Sequence, residues 1–390
     1  MSGPIGDIDP AIRDVHIWGA GVSGLLMGHF LSRRGYAVHV YERSHRIGGK
    51  IQSHVLADGV IEEGPNAIFA TEAIEGWLSS LGLTVLPATP KLKRRLWNGR
   101  ALSPMSLSLL LRLVTRLWLK TPPIDDLTRV SDFFRPLLGP FVEAVLTPAL
   151  QGIYGSGADE LTVTALWPQI PREGRYFRAL RSLRGPRARS VSFPKGMSEF
   201  IHALADSISG EIHLNYQGPF VLRPNTIICV DAQSAAELVR TIWPDGARTL
   251  AGVHYLPLQS TLVEAPSPIE TQRTFGYLFP RASGIGSLGV LFNREIFQGR
   301  TGLTFIVPGA SGAQDVVRQD LQRLGWPEAP MRIHAWERAL PRYNGSRTQA
   351  IKELRTSTSR PRELTLFGNY VSGISLRDMI QAVRSFALKH

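Results

Sequence analysis

The segment VHIWGAGVSG, residues 15–24, decides how the N-terminal part of the chain folds. Its short, mostly apolar start predicts a buried strand, and residues 25–34 after it have a helical pattern. Between them, Gly19 permits a sharp turn, Gly21 lets the backbone approach a pyrophosphate, and Gly24 lets the helix pack close to the strand. The N–H groups at the start of the helix then face the phosphates. The segment therefore predicts a Rossmann-type dinucleotide site.

A second predicted strand ends at Glu42, 18 residues after Gly24, where a carboxylate can bind the ribose hydroxyls of an adenosine. The glycine spacing alone is weak evidence, because residues 284–289 also match it. That second match lies between two strand-like runs, 275–279 and 288–292, and no helix follows it. It therefore predicts a hairpin turn.

The continuation of the first motif is more specific. It reads ERSHRIGGKI at residues 42–51 and EGPN at residues 63–66. A paired glycine after the ribose-binding glutamate resembles the superfamily of flavin-containing amine oxidases, phytoene desaturases and protoporphyrinogen oxidases. This resemblance implies that the cofactor is FAD.

The C-terminal sequence LFGNYVSGISLRDMI, residues 366–380, narrows the resemblance to the protoporphyrinogen oxidase family. The physical pattern agrees, because a strand over residues 364–367 ends in glycines that let the backbone approach a flavin ring. A helix that starts near Ser375 can face the N1–C2 edge of the ring, where negative charge develops on reduction. Four further segments are similar to the family in the same order: GIYG (152–155), FPKGM (193–197), LGVLFN (288–293) and WERALPRYN (336–344).

The resemblance implies an α/β fold. It comprises an FAD-binding Rossmann-type domain of the glutathione-reductase kind, a mixed-sheet substrate domain and a helical membrane-associating subdomain. We expect these parts to be interleaved along the chain. The FAD-binding domain takes residues 12–75, 191–240 and 346–390, the substrate domain takes 76–102 and 241–345, and the helical subdomain takes 103–190.

The family motifs also assign the residues expected to bind FAD. These are Gly19, Ala20, Gly21, Ser23, Gly24, Glu42, Arg43, Gly48, Gly49, Lys50, Gly64, Pro65, Asn66, Gly368, Asn369, Gly373, Ile374, Ser375 and Leu376.

Five further positions are expected to contact the substrate. Arg94 and Arg95 are alternatives for binding a propionate, since neighbours on a strand point to opposite faces, and Arg94 fits the family position better. Leu278 and Phe297 match positions that sandwich the tetrapyrrole, and Gly152 matches a backbone contact.

The implied activity is the dehydrogenation of a porphyrinogen, with FAD accepting a hydride from a methylene bridge. Dioxygen would reoxidise the cofactor and give hydrogen peroxide, and a quinone is the other acceptor left open. Because the cofactor carries this chemistry, we expect neither a catalytic side chain nor a metal site. The sequence does not choose between protoporphyrinogen and coproporphyrinogen. Another oxidase or desaturase of the superfamily, or a non-catalytic porphyrin-binding protein with the FAD fold, are the alternatives.

The composition and net charge of the chain limit the kinds of binding partner that we expect. The chain has 390 residues, 43% of them hydrophobic, and a net charge of +12, so we expect an acidic partner. No nucleic-acid module is recognisable, which favours an anionic membrane surface and a carboxylate-bearing substrate over nucleic acid. A single cysteine, Cys229, and the lack of an apolar leader or spanning segment predict a cytoplasmic protein, peripheral on the cytoplasmic face of a membrane. A homodimer is an open option.

The predicted membrane contact is the leucine-rich segment 106–120, in which Arg112, Arg116 and Lys120 recur every four residues. Such a helix can lie in a membrane interface with its cations at the headgroups. The alternatives are a core helix with arginines at its rim and a helix that lines the substrate cavity. A second basic cluster, residues 178–189, predicts a solvated loop or a further lipid or protein contact.

Two features depart from the family. The segment between Met197 and Ile228 is short where a sheet contributing to adenine binding would lie, and Asp231 stands where relatives carry a small residue or proline. These departures indicate either a family member with trimmed loops or a paralogue with weakened FAD binding or a different substrate.

Overall fold

A computed structural model describes residues 3–97, 99, 101–102, 106–264 and 274–390. The chain forms two compact units. The first contains Met1–Ala88, Arg187–His254 and Ala350–His390, and the second contains Thr89–Pro186 and Tyr255–Gln349. Residues 76–88 and 241–254, which the sequence assigns to the substrate domain, lie in the first unit. The assignment of the individual segments to FAD or substrate binding stays a prediction.

The strands of the described residues follow in chain order. They are β1 (Asp14–Trp18), β2 (Ala37–Tyr41), β3 (Ser53–Leu56), β4 (Gly59–Glu62), β5 (Ile68–Ala70), β6 (Leu86–Pro87), β7 (Lys93–Trp97), β8 (Ala101–Leu102), β9 (Arg189–Ser192), β10 (Gly210–His213), β11 (Thr226–Ile228), β12 (Tyr255–Val263), β13 (Thr274–Leu278), β14 (Gly289–Phe292), β15 (Leu303–Pro308), β16 (Met331–Pro341) and β17 (Leu364–Leu366).

The helices of the same residues include one π-helical turn, Val142–Leu146, and one 3₁₀ turn, Arg281–Ser283. The α-helices are α1 (Val22–Ser32), α2 (Glu72–Ser80), α3 (Leu107–Arg116), α4 (Val130–Leu138), α5 (Thr147–Tyr154), α6 (Val163–Leu166), α7 (Tyr176–Ser182), α8 (Ser198–Asp206), α9 (Ala232–Val239), α10 (Pro244–Ala251), α11 (Asn293–Ile296), α12 (Ala313–Leu324), α13 (Gly345–Thr356), α14 (Asn369–Ser372) and α15 (Leu376–Ala387).

The first unit is built on a five-stranded parallel sheet in the order β10-β2-β1-β11-β17. The central strand β1 reads as an apolar run because its interior positions, Val15 and Ile17, are fully buried. Helices α1 and α15 pack together, and the hydroxyl of Ser23 lies 3.7 Å from the sulfur of Met379. The two ends of the chain therefore share one core.

The second unit contains a seven-stranded mixed sheet in the order β16-β12-β15-β14-β13-β7-β8. Strands β13 and β14 pair antiparallel, which confirms that residues 284–289 lie in a hairpin connection. The connection binds a carboxylate of its own chain, since buried Asp320 accepts hydrogen bonds from the N–H of Gly286 (2.8 Å) and of Ser287 (2.9 Å). Strands β7 and β8 pair antiparallel and form a second hairpin.

Two of the three cations in the basic stripe of α3 make contacts within the protein. The helix ends at Arg116, so Lys120 lies beyond it. The Nε–H of Arg112 donates to the carbonyl of Leu137 (3.1 Å), and Arg116 donates to the carbonyl of Pro136 (2.9 Å). These carbonyls end helix α4, where C=O groups lack helical partners and attract cations. The arginines are thus engaged within the protein, and the large apolar side chains that the segment leaves exposed are Leu107, Leu110, Leu111, Val114, Trp118 and Leu119.

His29 on α1 is held neutral in the first unit. Its Nε2 accepts a hydrogen bond from the indole N–H of Trp77 (3.4 Å), so its Nδ1 carries the proton that is shared with the Ser207 hydroxyl (2.7 Å). Burial, and then the charge of Arg33, lower the pKa of His29 from 6.5 to about 4.

Acidification should therefore destabilise the fold through His29. The stabilising contribution is complete above pH 6.5 and is lost as the pH falls toward about 4, because only the unfolded chain binds the proton in that window. His29 contributes at most about 1.4 kcal/mol per pH unit to the slope of the unfolding free energy against pH. Thermal unfolding of His29→Gln should show a flatter pH dependence than the parent protein, and the exposed control His202→Gln should keep the parent slope. Equal slopes for all three proteins would disprove this role.

Candidate functional site

The register of the parallel sheet places four loops at one edge. Trp18 pairs with Tyr41 and with Ile228, and Ile228 pairs with Leu366, so β1, β2, β11 and β17 end side by side. The residues that follow these ends are the glycine turn 19–24, Glu42, the segment from Cys229 and the C-terminal segment 367–376. Ligands of open parallel sheets bind at this carboxyl edge.

The three glycine positions of the first turn differ in the physical reason for having no side chain. Gly19 has φ +104°, a conformation that favours glycine. A Cβ on Gly24 would lie 1.9 Å from the carbonyl oxygen of Gly19, so the contact between helix and turn excludes any side chain. A Cβ on Gly21 would meet nothing closer than the Cα of Gly49 at 4.0 Å. Protein packing therefore does not require glycine at position 21, and the approach of a pyrophosphate stays the predicted reason for it.

The start of α1 offers hydrogen-bond donors to such a ligand. Its N-cap is Gly21, and no side chain caps the helix. The first-turn N–H groups of an uncapped helix bind anions, and the helix dipole adds to the attraction.

The paired glycines close directly against this turn. The N–H of Gly48 donates to the carbonyl of Ala20 (2.8 Å), and Gly21 and Gly48 form a β-bridge. Gly48 and Gly49 both have positive φ, and a Cβ on Gly49 would lie 3.2 Å from the Cα of Gly21. Backbone contact between the two glycine segments therefore explains the spacing of the motif in this chain.

Glu42 lies at the end of β2 and ties the turn to the next loop. Its carboxylate accepts hydrogen bonds from the N–H groups of Ala20 and Ser44, both at 2.8 Å. A carboxylate has about four acceptor positions, so two remain for ribose hydroxyls. Arg43 beside it is exposed.

Arg46 is a supporting residue that the sequence reasoning missed. Its guanidinium donates to the carbonyls of Gly49 (2.9 Å) and Ile47 (3.2 Å), which braces the loop carrying the paired glycines. The signal that could have identified Arg46 is its position within the motif ERSHRIGGKI, residues 42–51. The remaining predicted residues of this region lie nearby: Lys50, Gly64 and Asn66 are half-buried, and Pro65 is exposed.

The C-terminal motif forms the other part of the edge. After β17, the short helix α14 ends at Gly373, whose φ of +104° favours glycine, and α15 follows. Ser375 caps α15 by accepting a hydrogen bond from the N–H of Asp378 (3.4 Å). Gly368 and Leu376 are buried, while Asn369, Gly373, Ile374 and Ser375 are half-buried.

Asp231 has a structural role that accounts for its presence. It is the N-cap of α9, and its carboxylate accepts hydrogen bonds from the N–H groups of Gln233 (3.1 Å) and Ser234 (3.0 Å). The short segment before it contributes α8 and the two sheet strands β10 and β11.

In the second unit, register distinguishes Arg94 from Arg95. Strand β7 pairs parallel with β13, with Arg94 opposite Gly276 and Leu96 opposite Leu278. Residues of one strand alternate between faces, so Arg94 shares a face with Leu278, and Arg95 points to the other face. A bulge in β13 at Phe275 sets its ring against the guanidinium of Arg94, 4.9 Å away.

Arg94 is available to a ligand. Its side chain is exposed, and among the described residues it makes no hydrogen bond or ion pair. Desolvation lowers the pKa of Arg94 from its usual value, but an arginine stays charged at neutral pH. Arg95 is half-buried, and its Nε is buried without a partner among the described residues.

The three other predicted substrate residues differ in exposure. Gly152 on α5 is exposed and contacts Leu278, since a Cβ on Gly152 would lie 2.6 Å from Leu278 Cδ2. Leu278 is half-buried. Phe297 is only 1% exposed and lies beneath Arg300, so it is a packing residue in this structure.

The fold and the loops at the sheet edge define a dinucleotide-binding protein. Residues 17–81 match the family model of the NAD(P)-binding Rossmann-like domain. A crystal structure of a provisionally named protoporphyrinogen oxidase from Exiguobacterium sp. 255-15 has a TM-score of 0.77 at 16% identity, over 98% of this chain and 99% of that one.

Curated relatives narrow the class. A chloroplastic protoporphyrinogen oxidase 1 from Spinacia oleracea is 25% identical in an alignment that covers 95% of this chain and 82% of that protein. A coproporphyrinogen III oxidase from Staphylococcus aureus is 27% identical over 242 residues, which cover 51% of this chain and 52% of that protein. These matches confirm the predicted α/β fold, the class of FAD-dependent oxidoreductase and the resemblance to protoporphyrinogen oxidases.

Substitutions at two glycines should separate cofactor binding from folding. Gly21→Ala fits the protein alone, so we expect the apo-protein to change in stability by less than about 1 kcal/mol. The same variant should bind FAD at least about tenfold more weakly, because its methyl group enters the pyrophosphate space. Gly24→Ala should instead destabilise the fold by about 1–3 kcal/mol through overpacking.

Denaturant unfolding of the apo-proteins and fluorescence titration with FAD measure the two effects. Unchanged FAD affinity in Gly21→Ala would show that the pyrophosphate does not approach this glycine.

Proposed function

We propose that this protein is an FAD-dependent oxidase that converts a porphyrinogen to a porphyrin. The observation that carries the proposal is the match to a protoporphyrinogen oxidase over 95% of the chain. The open glycine edge in the first unit and the exposed cation Arg94 in the second unit support it.

The bound cofactor would supply the hydride acceptor for dehydrogenation of a methylene bridge. The chain's own residues would hold it in place. The N-terminus of α1 would bind the pyrophosphate, Glu42 would bind the ribose, and the N-terminus of α15 would face the part of the ring where negative charge develops. We assign no acid–base side chain to the reaction.

Arg94 is the residue that we propose for substrate recognition. A porphyrinogen carries propionates on a broad apolar macrocycle, and a charge-assisted hydrogen bond to a guanidinium suits a carboxylate. The face that Arg94 shares with Leu278 combines that cation with apolar surface, and the exposed Gly152 adds a backbone approach.

The substrate and the electron acceptor can be decided together. The purified protein should be yellow, and colourless protoporphyrinogen or coproporphyrinogen should give rise to porphyrin fluorescence. Parallel assays with both porphyrinogens rank the substrates, and hydrogen peroxide formation identifies dioxygen as the acceptor, whereas a requirement for quinone identifies the alternative. Bound FAD without any porphyrin formation from either substrate would refute the proposed oxidase activity.

An Arg94→Ala variant should raise the KM for the porphyrinogen by about 10–100-fold with a smaller change in kcat, since a hydrogen bond to a charged group is worth about 1.5–3 kcal/mol. The matched control is Arg95→Ala, which removes the same charge from the opposite face. Steady-state kinetics with both variants test the assignment. A larger KM effect in Arg95→Ala would reverse it.

We also propose that the exposed face of α3 binds an anionic membrane surface. Leu107, Leu111 and Val114 are each more than 60% exposed, an arrangement that is unfavourable in water. Trp118 stacks on Phe177 beside them, and aromatic rings of this kind favour membrane interfaces.

Cations border this apolar face. A recess of about 990 Å³ next to Trp118 is lined by Lys120, Arg175, Arg178 and Arg181. Arg178 and Arg181 form no ion pair among the described residues, so they are available to lipid phosphates. No described helix is both long and apolar enough to cross a bilayer. Peripheral attachment at the cytoplasmic face and a homodimer both stay predictions.

A Leu111→Asp variant should lose most binding to vesicles that contain anionic lipid, because a charge replaces an exposed leucine on the proposed contact face. Val55→Asp is the matched control, as Val55 in the first unit is 67% exposed and Leu111 is 63% exposed. Cosedimentation with vesicles measures binding, and added salt should weaken it. Binding that ignores salt and the Leu111 substitution would rule out this surface.

A further inference from the structure

We propose that the outer strands of the parallel sheet carry a divalent-metal site of the zinc type, formed by His39, Glu211 and His213. The site lies in the first unit, on the outer strands β2 and β10 of the parallel sheet. It uses residues that the proposed oxidase activity does not require.

The sheet register brings the three side chains together. His39 on β2 is directly opposite Glu211 on β10, and His213 lies two residues farther along β10, on the same face. The potential ligand atoms of all three residues lie within 4.8 Å of one another. The site therefore follows from strand pairing between distant parts of the chain.

The distances within the cluster suit one metal ion. The Nε2 of His213 lies 3.2 Å from the carboxylate of Glu211, and the ligand atoms of His39, Glu211 and His213 all lie within 4.8 Å of one another. Two ligands of a tetrahedral zinc with bonds of about 2.0–2.2 Å are separated by roughly 3.3–3.5 Å. The three side chains would supply three ligands, and a water molecule would complete the tetrahedron.

Ring stacking orients the two imidazoles. His39 stacks on His16 with centroids 5.1 Å apart, and His213 stacks on Tyr41 with centroids 5.2 Å apart. These contacts limit ring rotation, so less entropy is lost when a metal binds. Neutral imidazole nitrogens and carboxylate oxygens are ligands that zinc prefers.

Local charge favours a dication. Glu211 provides one negative charge within the cluster, and Asp14 on β1 provides a second beside it, 3.5 Å from the Nε2 of His39. Arg223 is a nearby cation, and its charge helps to lower the pKa of His16, after the larger effect of burial. The two carboxylates outnumber this arginine.

A metal here would hold an edge strand in place. Strand β10 has only four residues and lies at the edge of the sheet. The backbone carbonyl of His213 accepts a hydrogen bond from the N–H of Glu42 (2.9 Å). The backbone N–H of Tyr216 in turn donates to the carbonyl of Glu42 (2.9 Å). Binding of zinc by β2 and β10 would therefore also steady the loop that carries Glu42.

The test uses full-length, FAD-loaded protein without a histidine tag, stripped of metal by a chelator and titrated with zinc in a calorimeter. We expect one zinc per chain and a rise in Tm on the order of a few degrees with excess zinc. His39→Ala and His213→Ala should each weaken zinc binding by more than about tenfold. His54→Ala is the matched control, because His54 also pairs with a carboxylate, that of Glu63 at 2.7 Å.

A second variant keeps the test decisive if a histidine substitution impairs folding. The side chain of Glu211 is 69% exposed, so Glu211→Gln should fold normally, as judged by flavin absorption, and still lose zinc affinity. No zinc binding by the parent protein would overturn the proposal. Equal binding in Glu211→Gln, His39→Ala and His54→Ala would also overturn it.

Discussion

The parallel pairing of β1 with β2 and β11 is the constraint on which the site depends. This register aligns the strand ends, and the contact between Gly24 and the carbonyl of Gly19 then fixes how α1 leaves the sheet. The paired glycines 48 and 49 close directly on the turn, where a Cβ on Gly49 would lie 3.2 Å from the Cα of Gly21. The C-terminal segment reaches the same edge because β17 extends the sheet through β11.

The two matches to the same glycine pattern show why local sequence predicts this part of the fold well. The first follows a strand and precedes a helix, so its N–H groups are left for a ligand. The second joins two antiparallel strands, and its N–H groups are bound by Asp320 of the same chain. Strand and helix periodicity around the glycines distinguishes the cases, and that information is local.

Features that depend on tertiary pairing could not be predicted in the same way. The arginines of α3 bind the carbonyl end of α4, a contact that no periodicity within α3 reveals. The choice between Arg94 and Arg95 rests on the register of β7 with β13. His39 and His213 are far apart in sequence and meet only because β10 is placed beside β2. Sequence motifs therefore predict the nucleotide edge, whereas the surfaces around it follow from the three-dimensional arrangement.

A crystal structure of the protein grown with FAD is the most direct test of this account. We expect one FAD per chain, with its pyrophosphate against Gly21 at the start of α1, its ribose at Glu42 and its flavin ring beside Gly373 and the start of α15. A cofactor bound elsewhere, or a carboxyl edge that stays closed to FAD at saturating concentration, would contradict the central claim.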